Sequence, residues 1–289
     1  MAKRKPLLTA QTTAVRLFDG FGDGMNELLL ESFAGNLLVS TAGPSLPKPV
    51  REWLAEQGFP SYWKQLDQHQ KASPTHLSGG LLDKPFLVLE NGMHLEISFQ
   101  SGYSQGVFLD QRDNRQQVRQ LMGKGLRLLN TFAYTGAFSV AAALAGAETT
   151  TLDLSQPYLE WAKRNFAHNQ LEPGNHHFCR GDAFHWLKRF EKQNRKFDGI
   201  ILDPPTFSRD EKGTIFRAEE HFGELAALAA RLLEPDGWLL CSTNCRRITL
   251  NDFQRQLRVA TGTRFQARSA PMPADFTDEP YLKSVWLRS

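Results

Sequence analysis

The chain has 289 residues, 41% of them hydrophobic and 22% charged, with a formal net charge of +3. This composition is ordinary for a globular protein with a real core, and the length suggests one large or two small domains. No apolar run reaches the roughly 20 residues that cross a bilayer, and the basic start "MAKRKP" precedes no apolar segment, so we expect neither a membrane span nor a secretory signal.

Sparse cysteines and unpatterned histidines also limit the function classes. The three cysteines form no Cys-x-x-Cys pair, which fits a reducing cytoplasm, and the eight histidines have no metal-ligand spacing. We therefore expect a cytoplasmic protein without a metal. The mildly basic charge permits a nucleic-acid partner but does not require one, and nothing in the composition fixes the oligomeric state.

The first 85 residues predict a small α+β domain, a candidate for substrate binding. "NLLVST" predicts a strand, "PKPVREWLAEQGF" a short helix, and the polar, turn-rich segment 69–80 a linker. Immediately afterwards, Asn91-Gly92 between apolar runs predicts a β-hairpin over residues 89–97. We expect that hairpin to lead into a larger domain over residues 86–289.

Strand-like and helix-like runs alternate through the larger domain. The first pairs are "LRLLN" with "AFSVAAALAG", "TTTLDLS" with "YLEWAKRNFAHN", and "HHFCRGD" with "AFHWLKRFEKQ". The later ones are "FDGIILD" with "EEHFGELAALAARLL" and "GWLLCST" with "LNDFQRQLRVA", before a last strand "LKSVWLR". This alternation predicts an α/β fold in which a mostly parallel sheet is covered by helices on both faces. Ser155 is expected to cap the helix over 155–169, and "PDG" at 235–237 to separate a helix from a strand.

The first strand of this sheet ends in "NTFAYTGAFS". Neither Gly-x-Gly-x-x-Gly nor a P-loop is present, which weakens the case for a nicotinamide or nucleoside-triphosphate enzyme. Gly136 allows a tight turn at a helix start, where exposed backbone N–H groups can receive an anionic group and Thr135 and Ser139 can serve as polar partners.

Acidic residues follow the next three strands. Asp153 lies 17 residues after Gly136, near the offset at which an acid accepts the hydroxyls of a ribose. Asp182 is placed to accept from an adenine amino group, and Asp203 ends the fourth strand. Any one of these acids can be a helix cap instead. Three at successive strand ends indicate a nucleoside-type ligand.

Together, "FAYTG", "LD", "GDA" and "DPPTF" resemble the class I S-adenosylmethionine-dependent methyltransferases. More narrowly, with "GVFLDQRDNR" at 106–115, they resemble the bacterial 23S rRNA methyltransferases of the RlmK and RlmI type. The resemblance covers residues 86–289. It implies a Rossmann-like seven-stranded sheet, S-adenosyl-L-methionine as cofactor and large-subunit rRNA as partner. Members of that family carry an additional RNA-binding domain, for which this chain is short.

The resemblance also assigns roles to individual residues. The turn after the first strand would hold the methionine end of the cofactor, Asp153 with Leu154 the ribose, and Asp182 with Ala183 the adenine. Arg112 would reach the cofactor carboxylate or form an ion pair at a helix start. The turn residues concerned are Phe132, Ala133, Tyr134, Thr135 and Gly136.

The stretch "DPPTF" carries the predicted catalytic residues. Methyl transfer is a displacement at an activated carbon, so catalysis is largely alignment of the attacking atom. Asp203 would orient the target group or the cofactor, while Pro204 and Pro205 fix the backbone and leave carbonyl acceptors. Phe207 would stack on a base lifted out of its helix, or else pack in the core.

The next strand end, "LLCSTNCRR", bears on the choice of target atom. Enzymes that methylate carbon five of cytosine first attack the ring with a thiolate. In the RNA enzymes of that type the cysteine directly follows an "ST" at this strand end, whereas here Asn244 stands there and Cys245 is one residue later. Cys241 and Cys179 are interpreted as buried strand residues. Asn244, Arg246 and Arg247 would contact the substrate, the arginines through phosphate or simply as a solvated pair.

These observations predict an RNA methyltransferase that modifies ring nitrogen seven of a guanine in large-subunit rRNA. Direct attack by a ring nitrogen needs no thiolate, which favours guanine. Three alternatives stay open: cytosine carbon-five methylation through Cys245, a noncatalytic RNA-binding protein, and methylation of a substrate other than RNA.

Overall fold

The computed structural model describes residues 4–66, 72–209 and 215–288. The chain forms two compact units. The first consists of Met1–Arg112 with Pro273–Pro280, and the second of Asp113–Met272 with Tyr281–Ser289. The boundary predicted at residue 85 therefore lies inside the first unit, and the substrate-binding role of residues 1–85 stays a prediction.

The first unit is built on a five-stranded sheet with strand order β1-β2-β3-β4-β5. Strands β3 and β4 pair in parallel, and the other neighbouring strands of this sheet pair antiparallel. In the described part of this unit, one α-helix and a separate two-stranded hairpin accompany the sheet. The elements are β1 (Ala14–Asp19), β2 (Leu28–Phe33), β3 (Asn36–Thr41), α1 (Lys48–Glu56), β4 (Ser61–Gln65), β5 (Thr75–Ser78), β6 (Phe86–Glu90) and β7 (Met93–Ile97).

Two local predictions meet different outcomes in this unit. The hairpin is confirmed: β6 and β7 pair around Asn91 and Gly92, both with positive φ. The linker over 69–80 is wrong in its second half, because Thr75–Ser78 forms a strand that pairs with β4. Residues 67–71 lie outside the described residues. "THLS" contains one apolar side chain, Leu77, so the sequence shows no alternation that would indicate a strand.

The second unit contains the seven-stranded sheet, with order β10-β9-β8-β11-β14-β16-β15. Strands β8, β9, β10, β11 and β14 are parallel to one another, and β16 is antiparallel to both of its neighbours. The elements are α2 (Arg112–Leu121), β8 (Arg127–Thr131), α3 (Ala137–Leu144), β9 (Glu148–Asp153), α4 (Gln156–His168), β10 (His176–Arg180), α5 (Ala183–Lys192), β11 (Phe197–Leu202), β12 (Phe207–Arg209), β13 (Ile215–Arg217), α6 (Ala218–Ala230), β14 (Leu233–Thr243), α7 (Leu250–Thr261), β15 (Gln266–Ala270) and β16 (Lys283–Arg288). The predicted mostly parallel seven-stranded sheet is confirmed.

Both faces of the central strand β11 are buried, as its continuous apolar sequence predicts. Ile200 and Leu202 pack into one apolar cluster, which includes Phe222 of α6. Ile201, which points to the opposite face, packs into a second cluster with Phe138 of α3. Helices therefore cover the sheet on both sides.

The order of strands reverses between β8 and β11, which are neighbours in the sheet. Thr131, at the end of β8, donates its hydroxyl to the carbonyl of Ile201 at 2.6 Å and ties the two strands together there. In open parallel sheets, ligands bind outside the carboxyl ends of the strands at such a reversal. We call the loops at these carboxyl ends the rim.

Two predictions about helix ends in this unit are not met. Ser155 occupies the N-cap position of α4 but makes no side-chain cap bond. Residues 235–237 do not separate a helix from a strand, because β14 already begins at Leu233, and its register against β11 shifts there.

Of the helices that the described residues form, none is long and apolar enough to cross a membrane.

Candidate active site

The turn after β8 has an alternating backbone. Phe132, Tyr134 and Gly136 have φ values of 52°, 51° and 76°, in the left-handed region that side chains usually avoid. The turn closes on itself, because the N–H of Gly136 donates to the carbonyl of Ala133 at 2.8 Å. Two strained non-glycine residues in one turn indicate that the surrounding structure fixes its shape.

Buried side chains hold this turn from behind. Asn165 of α4, which is fully buried, donates its amide to the carbonyl of Thr135 at 2.8 Å. Ser139 is also fully buried and accepts from Asn130 at 3.0 Å and from Thr151 at 2.8 Å. The expectation that Ser139 is available to a ligand is therefore wrong, because its hydroxyl is used inside the sheet.

Gly136 is required both by its φ and by its surroundings. A Cβ added to this glycine would lie 2.7 Å from the Cβ of Ala162 on α4. That distance is shorter than real Cβ contacts, so no larger residue fits without moving the helix. The absence of a side chain lets the rim approach α4 closely.

Asp153, at the end of β9, is joined to the same turn. Its Oδ2 accepts from the backbone N–H of Tyr134 and its Oδ1 from that of Ser155, both at 2.8 Å. Burial raises the pKa of this carboxyl above its ordinary value, and the backbone N–H donors offset part of the rise. Each carboxylate oxygen has two lone pairs, so the half-buried group retains capacity for hydroxyl donors.

An aromatic pair lies beside this carboxylate. The Tyr134 and Tyr158 rings meet edge to face, with centroids 4.6 Å apart. Burial and the charge of Asp153 raise the pKa of the Tyr158 phenol. Trp161, Ala162 and Phe166 of the same helix are buried in the core.

The ends of β9 and β10 contribute three further predicted residues. Leu154 is 36% exposed, a large apolar side chain at the rim. Asp182 caps α5, its Oδ1 accepting from the N–H of His185 at 2.9 Å, and Ala183 is buried in the first turn of that helix. The cap was the alternative to an adenine contact. The roles of Asp182 and Ala183 toward adenine stay predictions.

After β11 the chain leaves the sheet through Asp203, Pro204 and Pro205. Pro204 is buried and Pro205 is exposed. Phe207 begins β12 and is 52% exposed, so it does not pack in the core. Strand β12 pairs with β13, which leads directly into α6. An exposed aromatic ring at the rim is available to a planar ligand.

The loop after β11 is hydrogen-bonded to the loop after β14. Thr206 donates its hydroxyl to Oδ1 of Asn244 at 2.7 Å, and its own carbonyl accepts from Ala218 at 3.1 Å. Asn244, Arg246 and Arg247 are all exposed. The structure therefore brings one predicted substrate-binding residue, Asn244, into the same cluster as the predicted catalytic stretch.

The cysteines have environments unlike that of an exposed nucleophile. Cys245 is 2% exposed, and its thiol donates to Oε1 of Glu219 at 3.3 Å. Cys241 is fully buried, as predicted, and burial raises its pKa. Cys179 is only partly buried, and burial raises its pKa as well.

Arg112 belongs to the first unit, where it forms an ion pair. Its two terminal nitrogens donate to the two carboxylate oxygens of Asp275, Nη1 to Oδ2 at 3.0 Å and Nη2 to Oδ1 at 2.5 Å. Asp275 is fully buried and also accepts from the N–H of Arg16. This pairing at the start of α2 is the alternative that the sequence left open. A contact with the cofactor carboxylate stays a prediction.

Sequence reasoning missed Asn165 and Thr206. For Asn165 the sequence did contain a signal. It follows Trp161 by four residues and so lies on the buried face of α4, where a polar residue needs a hydrogen-bond partner. For Thr206 no signal existed, because a threonine after two prolines is ordinary in a loop. Among the residues that the structure describes, no group of three or more His, Cys, Asp or Glu side chains is placed to hold a metal ion.

The rim residues fit an adenosine-bearing ligand. Asp153 offers hydroxyl acceptors, Leu154 an apolar surface, and the turn over 132–136 a fixed backbone that leads into the start of α3. All of these lie within the second unit. Their chemistry matches ribose, base and charged tail in that order.

Comparison with known proteins gives one family. The family model described as S-adenosylmethionine-dependent methyltransferase matches residues 48–281. The chain is similar to ribosomal RNA large subunit methyltransferase K of Neisseria meningitidis serogroup B, with 35% identity over 72% of this chain and 62% of the relative. It is also similar to ribosomal RNA large subunit methyltransferase I of Erwinia tasmaniensis, with 31% identity over 94% of this chain and 74% of the relative.

A solved structure resembles the whole chain. The crystal structure of SMU.776 complexed with SAH has a TM-score of 0.89 and 28% identity, and it covers 100% of this chain and 78% of its own. SAH is the product that S-adenosylmethionine leaves after methyl transfer. The chain thus spans 62–78% of the lengths of these three proteins.

Proposed function

The chain belongs to the S-adenosylmethionine-dependent methyltransferase family, and we propose that it methylates ring nitrogen seven of a guanine in large-subunit ribosomal RNA. The cofactor, whose binding residues are taken to be those of the rim, supplies a methyl group already activated by a sulfonium. The protein's task is therefore to hold the acceptor atom in line with that methyl group.

The observation that carries the choice of atom is the environment of Cys245. Carbon five of cytosine is a poor nucleophile and needs prior attack by a thiolate on the ring. The only cysteine adjacent to Asn244 is 2% exposed and donates its S–H to Glu219 at the start of α6. A guanine ring nitrogen already carries a lone pair and reacts without such help. The buried thiol thus supports a direct displacement.

The rim residues after β11 fit a base that is held for direct attack. Phe207 presents an exposed ring on which a flipped base can stack. The loop that carries it is fixed on both sides, by Pro204 and Pro205 before it and by the β12–β13 pairing after it. Asp203 is taken to orient the base or the cofactor at the end of β11. Alignment by a rigid loop is the contribution expected of a site with an activated electrophile.

The identity of the RNA rests on the relatives. Proteins 35% and 31% identical to this chain carry the name ribosomal RNA large subunit methyltransferase, K and I respectively. Exposed Arg246 and Arg247 beside Asn244 supply cations where phosphate would lie. Arg247 is 3.8 Å from Glu219, a weak surface pair that phosphate can replace.

Transfer of a radiolabelled methyl group tests the proposal. Purified protein is incubated with labelled S-adenosylmethionine and either 23S or 16S rRNA from a strain that lacks the gene. We expect label in 23S rRNA alone and 7-methylguanosine after digestion to nucleosides. Label in 16S rRNA, or in neither RNA, would refute the proposed substrate, and 5-methylcytidine would refute the proposed atom.

A further inference from the structure

We infer that Asn244 reads the exocyclic oxygen of the target guanine and that Thr206 is the positioning residue that fixes the direction of the Asn244 amide. This inference rests on the proposed function and specifies how the same site selects its base. It starts from the hydrogen bond in which Thr206 Oγ1 donates to Asn244 Oδ1 at 2.7 Å.

That hydrogen bond fixes which end of the amide is available. An asparagine side chain has a carbonyl acceptor on one side and an NH₂ with two donors on the other. When Oδ1 accepts from Thr206, the NH₂ group is directed to the opposite side. Because Asn244 is exposed at the rim, the side chain presents a donor to whatever binds there.

The chain at Thr206 and on either side of Asn244 is held by further hydrogen bonds. On one side, the carbonyl of Thr206 accepts from Ala218 at the start of α6. On the other, the N–H of Cys245 donates to Thr243 Oγ1 at 3.2 Å, and the carbonyl of Cys245 accepts from Lys283 at 2.7 Å. Asn244 therefore lies between two anchored residues, and its amide is pre-oriented before a base arrives. Preorganisation of this kind reduces the ordering cost of recognition.

A donor at this place discriminates between purines. Guanine carries two adjacent acceptors on one edge, N7 and O6, whereas adenine carries N7 beside an amino donor. If N7 attacks the methyl group, its lone pair must point at the cofactor and is not available to the protein. O6 is then the neighbouring acceptor, and the Asn244 NH₂ matches it while repelling the amino group of adenine.

Substitution of Asn244 by Asp tests the donor with little change of shape. Asn244→Asp keeps an oxygen for Thr206 and replaces the NH₂ with a second oxygen. The matched control is Asn251→Asp, which adds the same charge at an exposed position in the first turn of α7. The assay measures kcat/KM for 23S rRNA from a gene-deletion strain. We expect Asn244→Asp to lower it by about 5- to 150-fold, the usual effect of one base-reading pair, and Asn251→Asp to lower it less than about twofold.

Thr206 is tested by removing and restoring its hydroxyl. Thr206→Val deletes the donor at equal size, and Thr206→Ser returns it. We expect Thr206→Val to show more than half of the decrease in kcat/KM for RNA that Asn244→Asp shows, with unchanged affinity for S-adenosylmethionine by calorimetry. Thr206→Ser should recover the wild-type kcat/KM. A packing role of the Thr206 methyl group would not be rescued by serine, which lacks that group, and a general disturbance of the fold would lower the affinity for S-adenosylmethionine.

The outcomes separate the inference from the proposed function. If the wild-type protein makes 7-methylguanosine and Asn244→Asp retains full kcat/KM, the inference is overturned and the proposed function stands. Wild-type protein that modifies no rRNA, or modifies a cytosine, overturns both. On an RNA fragment whose mapped target guanine is replaced by adenine, the ratio of adenine to guanine methylation is expected to rise in Asn244→Asp, and an unchanged ratio also overturns the inference.

Discussion

The backbone N–H of Tyr134 donates to Oδ2 of Asp153 at 2.8 Å, so the turn after β8 is joined directly to the acid at the end of β9. The other carboxylate oxygen binds the N–H of Ser155 at the start of α4. Asp153 thus shapes the turn that we propose holds the methionine end of the cofactor, in addition to its proposed contact with the ribose hydroxyls. Its substitution should change both.

Replacement of Asp153 by alanine is expected to weaken S-adenosylmethionine binding. The variant loses a charged acceptor for hydroxyls and for two backbone N–H groups, and bonds to charged groups contribute about 1.5–3 kcal/mol each. We expect a dissociation constant about 10- to 150-fold higher by isothermal calorimetry. Asp236→Ala, at an exposed acid in β14, is the control. Equal affinities of Asp153→Ala and wild type would remove Asp153 from the cofactor site.

Binding of the cofactor is expected to weaken as the pH falls. Burial raises the pKa of Asp153 above its ordinary 3.8, and the backbone N–H bonds of Ser155, Tyr134 and Leu154 lower it in part. Its contribution to folding stability is then greatest below pH 3.8 and is lost as the pH rises through the folded-state pKa. Hydroxyl recognition has the opposite sign, because it needs the ionised form.

The dissociation constant should therefore rise by up to about tenfold per pH unit below that pKa. Asp153→Asn removes the titrating group, so its affinity should be lower at neutral pH but flat with pH. Calorimetric titrations of both proteins at several pH values make the comparison. Parallel slopes for wild type and Asp153→Asn would assign the pH dependence to another group.

Cys245→Ser is expected to keep most of the methyltransferase activity. A serine hydroxyl can donate to Glu219 as the thiol does, so the buried contact survives. We expect kcat to fall by less than about tenfold, or ~1.4 kcal/mol of barrier. A thiolate mechanism predicts complete loss instead. Single-turnover transfer to 23S rRNA distinguishes the two, with thermal unfolding as the check on folding.

Gly136→Ala should destabilise the second unit more than Gly125→Ala does. Both glycines have positive φ, 76° and 85°, but only at Gly136 would the new Cβ meet a neighbour, 2.7 Å from Ala162 Cβ. The left-handed backbone costs roughly 1–2 kcal/mol at either position, and overpacking adds about 1–3 kcal/mol at Gly136 alone. Urea unfolding measures the difference. Equal decreases in the free energy of unfolding would mean that α4 moves away from the new Cβ at no cost.

Arg112→Leu is expected to lower the stability of the first unit. It leaves the fully buried Asp275 carboxylate without its bidentate partner, and breaking a buried pair in this way costs about 3–5 kcal/mol. Arg112→Leu with Asp275→Leu should recover part of that loss. Denaturant unfolding of the single and double variants tests this. A rise in the cofactor dissociation constant with unchanged unfolding would instead assign Arg112 to the cofactor carboxylate.

The sheet was predictable because its signals are local and repeated. "GIIL" and "LRLLN" are apolar on both faces, and the chain alternates them with helix-like runs, so a parallel sheet is the simple consequence. Asn91-Gly92 was equally local. The strand Thr75–Ser78 was missed because it is short and depends on β4 for its pairing. The sequence does not show that Ser139 faces the sheet. That orientation is seen only from its hydrogen bonds with Asn130 and Thr151, which lie on β8 and β9.

The candidate site was predictable in its residue types but not in its internal bonds. Asp153 and Asp182 could be picked out as acids at strand ends, yet the same pattern allows a cap, and Asp182 is one. The bond between Thr206 and Asn244 joins loops 38 residues apart, and no sequence period reports such a contact. Nor could the direction of the Cys245 thiol be read from the chain, since it depends on the start of α6.

Nucleoside mass spectrometry of large-subunit rRNA, from cells with and without the gene, tests the central claim most directly. Fragments that differ are sequenced to locate the modified position. A single 7-methylguanosine present with the gene, absent without it and restored by the intact gene but not by Asp153→Ala is the predicted result. Identical modification of the two rRNA samples, or a difference confined to 5-methylcytidine, would contradict it.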